Sequence, residues 1–547
     1  MARPGDDARA DLSDSWVDMF VDWSCKQVNF CCSIESKSVL VKYVRSFCHN
    51  WLHGEGKTYV LPLDVDLLLG TGVVSRYEDE IKTPFLIDGL YFSTYSFSRD
   101  RRFICESFLG KSFLDPVCPV GEADSVVRLI FPGECEYTDQ MRAVYTTLLL
   151  PWVVITGGPG TGKTTTLIGI LNAFYRLCPS FSIALCAPTG KAAMNLINIF
   201  DQVKELFANS DLGLSLSGYL VQTIHRLLGY PHRCKCFPLT FDVVIVDESS
   251  MLDVCLMKTL MNRMKKGSRL ILLGDSCQLG PVQGGSVFRE IVNTDINVLL
   301  PSGINLSPVI TLKRNYRFLS KEIPLLAESI LSSNIHIIEE FIFQGKIFKS
   351  DIDFVDPVCT SHERLWSTIV DGYSLYEKTV DSEDDIYAWF DALFKYRVLC
   401  AVSEGSLGTK NTNRVIGQII SKRLNRSKHY HLFFSGTPLM VLKNTPDKDL
   451  YNGDVGIFHW QDGQPGVFFV THCGARFVPW HDMPLCQEAW AITVHKSQGS
   501  QFSSVAILVP PGKKMFFSRV WLYTAVTRAK KHILLCCSQN QLFDFFL

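Results

Sequence analysis

One stretch, Gly-Gly-Pro-Gly-Thr-Gly-Lys-Thr at residues 157–164, constrains the fold of this chain more than any other. It follows an apolar run, Trp152–Thr156, that predicts a strand, and it precedes Leu167–Leu171, which predicts a helix. This order is the context that the phosphate-loop pattern GxxxxGK[ST] requires. Glycines allow backbone N–H groups to turn inward around a phosphate, and the helix that follows points its positive dipole end at the anion. We therefore expect the chain to bind a nucleoside triphosphate.

The residue types at the end of this loop predict separate roles in nucleotide binding. Lys163 supplies a mobile positive charge to the terminal phosphates, and the Thr164 hydroxyl is suited to ligate Mg²⁺. The predicted nucleotide-binding residues of the loop are Gly157, Gly158, Pro159, Gly160, Thr161, Gly162, Lys163 and Thr164.

Length and composition favour a multidomain globular protein. At 547 residues, with 47% hydrophobic and 20% charged residues, the chain has room for about three or four domains. We find no apolar run of about 18 residues that predicts a membrane span, and the polar N-terminus lacks a signal-peptide core. These features predict a cytoplasmic protein. The net charge of −1 argues against a non-specific nucleic-acid coating protein but leaves room for a local basic groove.

The 19 cysteines are scattered through mostly apolar segments, which is typical of buried thiols rather than of a disulfide framework. Cys234 and Cys236 near His232 suggest a metal site. No CxxC pair lies at zinc-site spacing to complete it, so the pattern disfavours zinc.

The pattern of strands and helices divides the chain into three parts. Residues 1–125 show no phosphate chemistry, and Trp16, Phe20 and Trp23 recur there at helical spacing. Residues 126–320 and 321–547 each alternate apolar strands with helices, which predicts parallel α/β sheets. The first unit is expected to carry a small polar insertion within Asn195–Gly218. In the second, turn residues such as Asn452-Gly453 between apolar runs predict an inserted antiparallel barrel over about 430–485.

Two further strands end in polar side chains. Asp247 and Glu248 follow the strand Val243–Val246, where Asp247 suits a Mg²⁺ ligand and Glu248 a base for the attacking water. Two solvated acids are the alternative. Gln278 follows the strand Leu270–Leu273 and is suited to hydrogen-bond a γ-phosphate, although an ordinary strand exit is the simpler interpretation of that site alone.

Other polar groups are candidates for phosphate or nucleic-acid contacts. Arg317 and Arg528 each lie near an aromatic residue and are able to stabilise a transferring phosphoryl group, whereas surface exposure is the commoner role of an arginine. Hydroxyl, imidazole and ammonium groups able to contact a phosphate backbone recur in three further segments. Helix capping and core packing are the alternatives there, and for His225 the two interpretations are balanced. These candidates are Thr189, Lys191, His225, Thr493, His495 and Lys496.

The order of these motifs resembles that of superfamily 1 helicases, and within them the RecD subunits of bacterial RecBCD complexes (exodeoxyribonuclease V). The resemblance spans about Gln140 to Arg528. The motifs that carry it are GGPGTGKTTT, APTGKAA, TIHRLLG, VDESSMLD, GDSCQL, LKRNYRF, YNGDVGI, TVHKSQGSQF and YTAVTRAK.

The resemblance implies two RecA-like domains with ATP between them, an SH3-like barrel in the insertion, a mostly helical N-terminal domain and 5′ to 3′ movement on single-stranded DNA. It implies that Gln140 reads adenine, that Lys163 and Thr164 hold phosphate and Mg²⁺, and that Asp247 and Glu248 are metal ligand and catalytic base. Gln278 would sense the γ-phosphate, and Arg317 and Arg528 would complete the pocket. The implied DNA-path residues are Thr189, Lys191, His225, Thr493, His495 and Lys496.

The implied role is that of a subunit that processes DNA ends for recombinational repair together with RecB-like and RecC-like partners. Trp16, Phe20 and Trp23 are candidates for a docking face on a RecC-like protein. No separate nuclease carboxylate cluster is apparent in the sequence, so a partner is expected to cut DNA. Two other functions stay open, a stand-alone RecD-like helicase and a non-catalytic nucleotide-binding scaffold. Gln501 stands where the family often has a glutamate that contacts the ribose, and Gly280-Pro281 stands where a Pro-Pro pair is common.

Overall fold

The structure is a computed structural model of the 547-residue chain. It describes residues 34–52, 58–69, 71, 73–76, 83–89, 91–111, 115–134, 136–208, 218–229, 238–281, 285–315, 322–343, 351–382, 385–426, 433–445, 448, 450–471, 474–511 and 518–546. Several sequence predictions lie outside these residues: the docking candidates Trp16, Phe20 and Trp23, the Cys234–Cys236 pair with His232, and Arg317.

The helices, numbered along the chain, are α1 (Ile34–Leu52), α2 (Val65–Leu69), α3 (Tyr95–Lys111), α4 (Val120–Ile130), α5 (Asp139–Leu149), α6 (Lys163–Leu177), α7 (Gly190–Ala208), α8 (Ile224–Leu227), α9 (Val254–Arg263), α10 (Val287–Val292), α11 (Glu322–Ser332), α12 (Ile335–Phe343), α13 (His362–Asp371), α14 (Ser374–Ser382), α15 (Ile386–Lys395), α16 (Thr409–Arg423), α17 (Arg519–Val526) and α18 (Gln539–Asp544).

The strands are β1 (Thr58–Tyr59), β2 (Val74–Arg76), β3 (Phe85–Asp88), β4 (Tyr91–Thr94), β5 (Trp152–Gly157), β6 (Ile183–Ala187), β7 (Tyr219–Thr223), β8 (Val243–Val246), β9 (Arg269–Gly274), β10 (Val298–Leu299), β11 (Asn305–Leu306), β12 (Val309–Leu312), β13 (Ile352–Val355), β14 (Tyr396–Cys400), β15 (Thr437–Val441), β16 (Val455–Gln461), β17 (Gln464–Thr471), β18 (Gly474–Pro479), β19 (Cys486–Glu488), β20 (Ala491–Thr493), β21 (Phe502–Leu508) and β22 (Ala529–Cys536).

The first lobe is built on a parallel sheet with the strand order β12-β5-β9-β8-β6-β7. Its central strands read as unbroken apolar runs because both faces of the sheet are covered. Val153 and Ile155 pack into one apolar core, whereas Trp152 and Val154 pack into the core on the opposite face. The polar stretch that predicted an insertion at Asn195 is instead the continuation of helix α7 to Ala208, so that prediction was wrong over those residues.

The second lobe is a second parallel sheet, with the order β13-β22-β21-β14-β20. Its strands also alternate between two buried cores: Leu399 and Ile507 face one, and Val398 and Ala506 face the other. The two lobes therefore share one plan, a parallel sheet that is covered by an apolar core on each face.

An antiparallel sheet, with the order β18-β17-β16-β15-β19, is inserted between β14 and β20. Its tight hairpin turn lies at Asp462-Gly463, where both residues have positive φ (50° and 78°). The turn expected at Asn452-Gly453 lies in the longer connection between β15 and β16, where the Gly453 N–H donates to the Val441 carbonyl at 2.9 Å.

The described part of the N-terminal region combines helices with a sheet of order β1-β4-β3-β2. The expectation of a mostly helical domain left out most of this sheet, because its strands are only two to four residues long. Only the partly alternating aromatic stretch at 90–97 has the pattern of a strand, and it contains β4. The basic stretch at 99–102 lies inside helix α3. Arg101 pairs there with Glu290 of the first lobe at 2.5 Å. Within the described residues, no helix has both the length and the apolar character needed to cross a bilayer.

The hairpin turn allows a direct test of backbone strain. We predict that Gly463→Ala lowers the free energy of unfolding by about 1 kcal/mol, because a Cβ disfavours positive φ. Gly110→Ala is the matched control. It lies in helix α3, a Cβ there meets nothing within 4 Å and its φ is not positive, so its stability should stay equal or rise slightly. Urea unfolding of both variants measures the difference, and equal loss in the two would contradict the assignment of the turn.

Candidate functional site

The phosphate loop joins β5 to α6, as the sequence predicted. Gly160 and Gly162 adopt positive φ of 84° and 88°, which a residue with a Cβ rarely adopts. A Cβ at Gly157 would lie only 2.5 Å from the Thr161 hydroxyl, so this position is also confined to glycine. The Lys163 ammonium lies over the loop and donates to the carbonyls of Gly157 at 2.5 Å and Gly158 at 3.0 Å. The glycine-rich loop is thus closely packed, and the Lys163 ammonium lies over it.

Two side chains outside the loop donate hydrogen bonds to its backbone carbonyls. Gln140 is buried, with 7% of its surface exposed, and its Nε2 donates to the Thr161 carbonyl at 3.1 Å. The predicted adenine-reading residue therefore supports the loop directly, and its contact with a base stays a prediction. Asn315, two residues before Arg317, donates from Nδ2 to the Pro159 carbonyl at 2.9 Å.

The two carboxylates at the end of β8 face the same space. Asp247 accepts a hydrogen bond from the Glu248 N–H at 2.9 Å. Burial and the charge of Glu248 raise the pKa of Asp247 to about 6, while Lys163 opposes that rise. Glu248 has a positive φ of 52°, an uncommon backbone conformation for a residue with a side chain. Two adjacent carboxylates held this way are suited to a divalent cation.

Gln278 belongs to the sensor segment, which we define as residues 275–279 at the end of β9. Its Nε2 donates to Oδ2 of Asp275 at 2.9 Å, and both side chains are buried. Arg289 of α10 donates to the carbonyls of Ser276 at 2.9 Å and Gln278 at 2.8 Å, which fixes the backbone of the segment. The sensor segment is therefore held rigidly at the edge of the first lobe.

Arg528 comes from the second lobe, at the turn after α17. Its side chain is 2% exposed and donates from Nε to the Thr524 carbonyl at 3.0 Å and from Nη1 to the Ser500 carbonyl at 3.1 Å. Burial lowers its pKa, and the charges of Glu248 and Asp275 oppose that change. The guanidinium is thus positioned by backbone carbonyls and feels carboxylates of the opposite lobe.

These groups line one interlobe cavity of about 740 Å³. Lys163, Thr164, Asp247, Glu248, Gln278 and Arg528, which the sequence predicted as site residues, are brought together there. The full lining is Pro159, Gly160, Gly162, Lys163, Thr164, Thr165, Lys191, Asn195, Asn198, Ile199, Asp247, Glu248, Gln278, Phe394, Gly499, Ser500, Gln501, Arg528 and Lys530.

Lys191 lies in this cavity, although the sequence placed it on the DNA path. Its ammonium lies 4.9 Å from the ring centre of Phe394 and 5.9 Å from that of Phe502, both in the second lobe. Arg397 lies over the same two rings at 5.7 and 5.4 Å. Burial first, and then the charges of Arg397 and Arg528, lower the pKa of Lys191 to about 8, with Asp454 opposing them.

The other predicted DNA-path residues lie around the start of α7 and after β20. The Thr189 hydroxyl caps α7 by accepting from the Ala192 N–H at 3.2 Å, and His225 hydrogen-bonds the Pro188 backbone. Thr493 accepts from the Lys496 N–H at 3.4 Å, and His495 and Lys496 form a short 3₁₀ helix. A Cβ at Gly499 would lie 3.9 Å from the Thr189 hydroxyl, so the two segments meet across the lobes.

Sequence reasoning missed other cavity residues and their supports. Asn195 and Asn198 line the cavity without belonging to a recognisable pattern, Lys530 lines it at the end of the motif YTAVTRAK, and Asp275 and Tyr523 lie beside it. Asp275 and Tyr523 stand inside quoted motifs, so the signal was present. Their pairing joins residues 248 positions apart, and nothing in the linear order indicates it.

Comparison with known proteins gives consistent matches. Residues 140–284 match the AAA domain family, and residues 488–536 match the UvrD-like helicase C-terminal domain. The RecBCD enzyme subunit RecD of Mycobacterium tuberculosis H37Rv is 30% identical over 485 residues, covering 85% of this chain and 78% of the relative. The RecD subunit of Haemophilus influenzae is 31% identical, covering 74% and 69%. The ATP-dependent RecD2 DNA helicase of Deinococcus radiodurans is 26% identical, covering 69% of this chain and 46% of that protein.

The Lys191 environment generates a pH-dependent prediction. The pKa of Lys191 falls from 10.5 to about 8 in the fold, so the unfolded chain holds this proton more tightly between those values. Burial of the ammonium therefore costs stability at pH 7, and that cost shrinks as the pH rises from 8 toward 10.5. Lys191→Met should stabilise the protein relative to wild type at pH 7 and by less at pH 9.5. Urea midpoints at both pH values test this, and a difference independent of pH would contradict it.

Proposed function

The chain belongs to the family of RecD subunits of the RecBCD enzyme, and from this we propose that its interlobe cavity is the ATP site that drives movement 5′ to 3′ along single-stranded DNA. The chain is an ATP-dependent DNA helicase subunit of exodeoxyribonuclease V, an enzyme that processes DNA ends for recombinational repair. The observation that carries the proposal is the convergence of Lys163, Glu248 and Arg528, from two lobes, on one cavity.

Each of these side chains has a distinct task in the proposed reaction. Lys163 binds the terminal phosphates from the first lobe, and Arg528 stabilises charge on the transferring phosphoryl group from the second. Glu248 accepts a proton from the attacking water, and Gln278 contacts the γ-phosphate or that water. Hydrolysis removes the group that both cations contact, which weakens the attraction between the lobes. Arg317 is proposed as a second arginine of this site.

The oxygen donors of Thr164 and Asp247 fit a Mg²⁺ ion, which prefers hard oxygen ligands, and both line the same cavity. When bound, the ion would neutralise phosphate charge. The raised pKa of Asp247 supports this assignment, because a carboxylate that is costly to ionise alone gains most from a neighbouring dication. Gln140 and the loop glycines complete the proposed ATP contacts.

Single-stranded DNA is proposed to cross both lobes near the segments that meet at Thr189 and Gly499. Thr189, His225, Thr493, His495 and Lys496 contact its backbone, which makes the grip tolerant of sequence. Lys191, because it lies between this path and the nucleotide cavity, is proposed to respond to both ligands. If the lobes grip DNA alternately as ATP closes and hydrolysis opens the cleft, the protein moves in one direction.

RecB-like and RecC-like subunits are the proposed partners, and the inserted antiparallel sheet is proposed to be the SH3-like domain of this branch. The N-terminal sheet offers a docking face for a RecC-like subunit, formed by Tyr59, Leu61, Leu63 and Tyr91. These side chains are 43–89% exposed, and the Tyr59 and Tyr91 rings lie 6.1 Å apart. Apolar surface concentrated on one edge of a sheet is typical of a protein interface.

The proposed base can be tested separately from nucleotide binding. Glu248→Gln should lower ATP turnover in the presence of single-stranded DNA by about 100-fold or more, the size expected for loss of a general base, while ATP still binds. Lys163→Ala should weaken both binding and turnover. Glu404→Gln, at an exposed ion pair with Lys410, is the matched control and should behave as wild type. Turnover that is unchanged in Glu248→Gln and Lys163→Ala would contradict the proposal that this cavity drives the motor, and absence of turnover in the wild-type protein would favour a nucleotide-binding scaffold.

The docking face can be tested by comparing a substitution of an exposed leucine on this face with a substitution of an exposed leucine elsewhere. Leu63→Asp should weaken copurification of the chain with its RecC-like subunit, because a carboxylate would be buried in an apolar interface. Leu299→Asp changes a side chain that is 72% exposed in the first lobe, and it should copurify normally. Normal recovery of the complex with Leu63→Asp would remove this face from the proposal. A wild-type chain that recovers no partner would instead favour a stand-alone helicase.

A further inference from the structure

Tyr523, on α17 of the second lobe, makes an unusual contact across the cleft. Its hydroxyl donates to Oδ2 of Asp275 in the first lobe at 3.2 Å, and the side chain is buried. The same hydroxyl lies against the phosphate loop, because a Cβ at Gly158 would come within 3.1 Å of it. One phenol of the second lobe therefore contacts both the sensor segment and the loop that holds phosphate.

Asp275 connects this phenol to Gln278. Its Oδ2 accepts from Tyr523 and from Nε2 of Gln278, while its Oδ1 accepts from the Cys277 N–H at 3.0 Å. A carboxylate only accepts hydrogen bonds, so Gln278 must turn its amide nitrogen toward Asp275. The orientation of the Gln278 side chain is thus set by Asp275, and the position of Asp275 depends in part on the second lobe.

Other bonds hold the same segment to the second lobe. The Leu279 N–H donates to the Thr524 hydroxyl at 2.9 Å, and the Leu279 carbonyl accepts from Gln498 Nε2 at 2.9 Å. Thr524 neighbours Tyr523 on α17, and its carbonyl also holds Arg528. A movement of α17 relative to the first lobe would therefore break the bonds to the sensor segment and shift Arg528 at the same time.

The protonated Tyr523 hydroxyl is the donor in its hydrogen bond with Asp275. Burial and the neighbouring charge of Asp275 raise the pKa of Tyr523 well above its ordinary value, so the phenol stays a donor at neutral pH.

We propose that Tyr523 is a positioning residue that orients Gln278 through Asp275, so that the sensor reaches its working geometry only when the second lobe is seated on the first. This inference rests on the proposed ATPase function and adds a dependence of chemistry on lobe position. Neither Tyr523 nor Asp275 contacts the nucleotide in this proposal; both act through Gln278.

The test is a double-mutant cycle on DNA-stimulated ATP turnover. Tyr523→Phe removes only the hydroxyl and should lower kcat about tenfold, the size expected for loss of a hydrogen bond to a charged group, with KM for ATP within about twofold. In a Gln278→Ala background the same change should have almost no further effect, because two residues that act as one unit are not additive. Asp275→Asn supplies a second cycle, since one acceptor oxygen of the network is lost.

Tyr396→Phe is the control for general loss of a buried phenol bond. Its hydroxyl donates to the Ile369 carbonyl at 2.8 Å within the second lobe, so kcat should stay unchanged. If the wild-type enzyme hydrolyses ATP and the effects of Tyr523→Phe and Gln278→Ala on kcat multiply, the two residues act independently. Tyr523 then has only a structural role, and the inference is overturned. If the wild-type protein itself shows no ATP turnover with DNA, the proposed function fails. That result differs from multiplicative effects in an active enzyme, which overturn only the role of Tyr523.

Discussion

The buried guanidinium of Arg528 is the interaction on which the rest of the site depends. A cation removed from water is costly, and here backbone carbonyls of Thr524 and Ser500 and the charges of Glu248 and Asp275 offset that cost. Two of those partners lie in the opposite lobe, so the charge is satisfied best when the lobes face each other. The cavity then has a cation on each side, Lys163 from one lobe and Arg528 from the other, and an anion between them would hold both.

This arrangement supports the proposal that nucleotide binding and hydrolysis change the position of the lobes. A ligand shifts a conformational equilibrium only through its different affinity for the two states. A triphosphate that contacts both cations favours closure, whereas a product that contacts one does not. The segments that carry Thr189 and Gly499 meet across the same boundary, so a change in lobe position alters the surface proposed to hold DNA. Lys191 lines the same cavity and lies 4.9 Å from the ring centre of Phe394, so it is a candidate for responding to both effects.

The sequence predicted the lobes well and their contacts poorly. Strands such as Ile183–Ala187 and Val243–Val246 were predicted to the residue, because strands buried on both faces are unbroken apolar runs. The convergence of Lys163, Asp247, Glu248 and Gln278 followed from their places at the carboxyl ends of parallel strands. In the N-terminal region only the partly alternating aromatic stretch at 90–97, which contains β4, has the pattern of a strand, because the other strands are two to four residues long. The turn signal at Asn452-Gly453 drew attention away from the hairpin at Asp462-Gly463. The Tyr523–Asp275 bond depends on how two separately folded sheets dock, which no local pattern encodes.

The central claim is that the binding of nucleotide in the cavity and the binding of DNA on the lobes are coupled, so that each changes the free energy of the other. The most direct measurement is the affinity of the holoenzyme for a single-stranded oligonucleotide with and without a non-hydrolysable ATP analogue, together with the reciprocal titration. The account predicts that each ligand changes the affinity of the other by the same factor, as linkage requires, and that Arg528→Ala reduces that factor toward one. Affinities that are independent of the other ligand in the wild-type protein would contradict it.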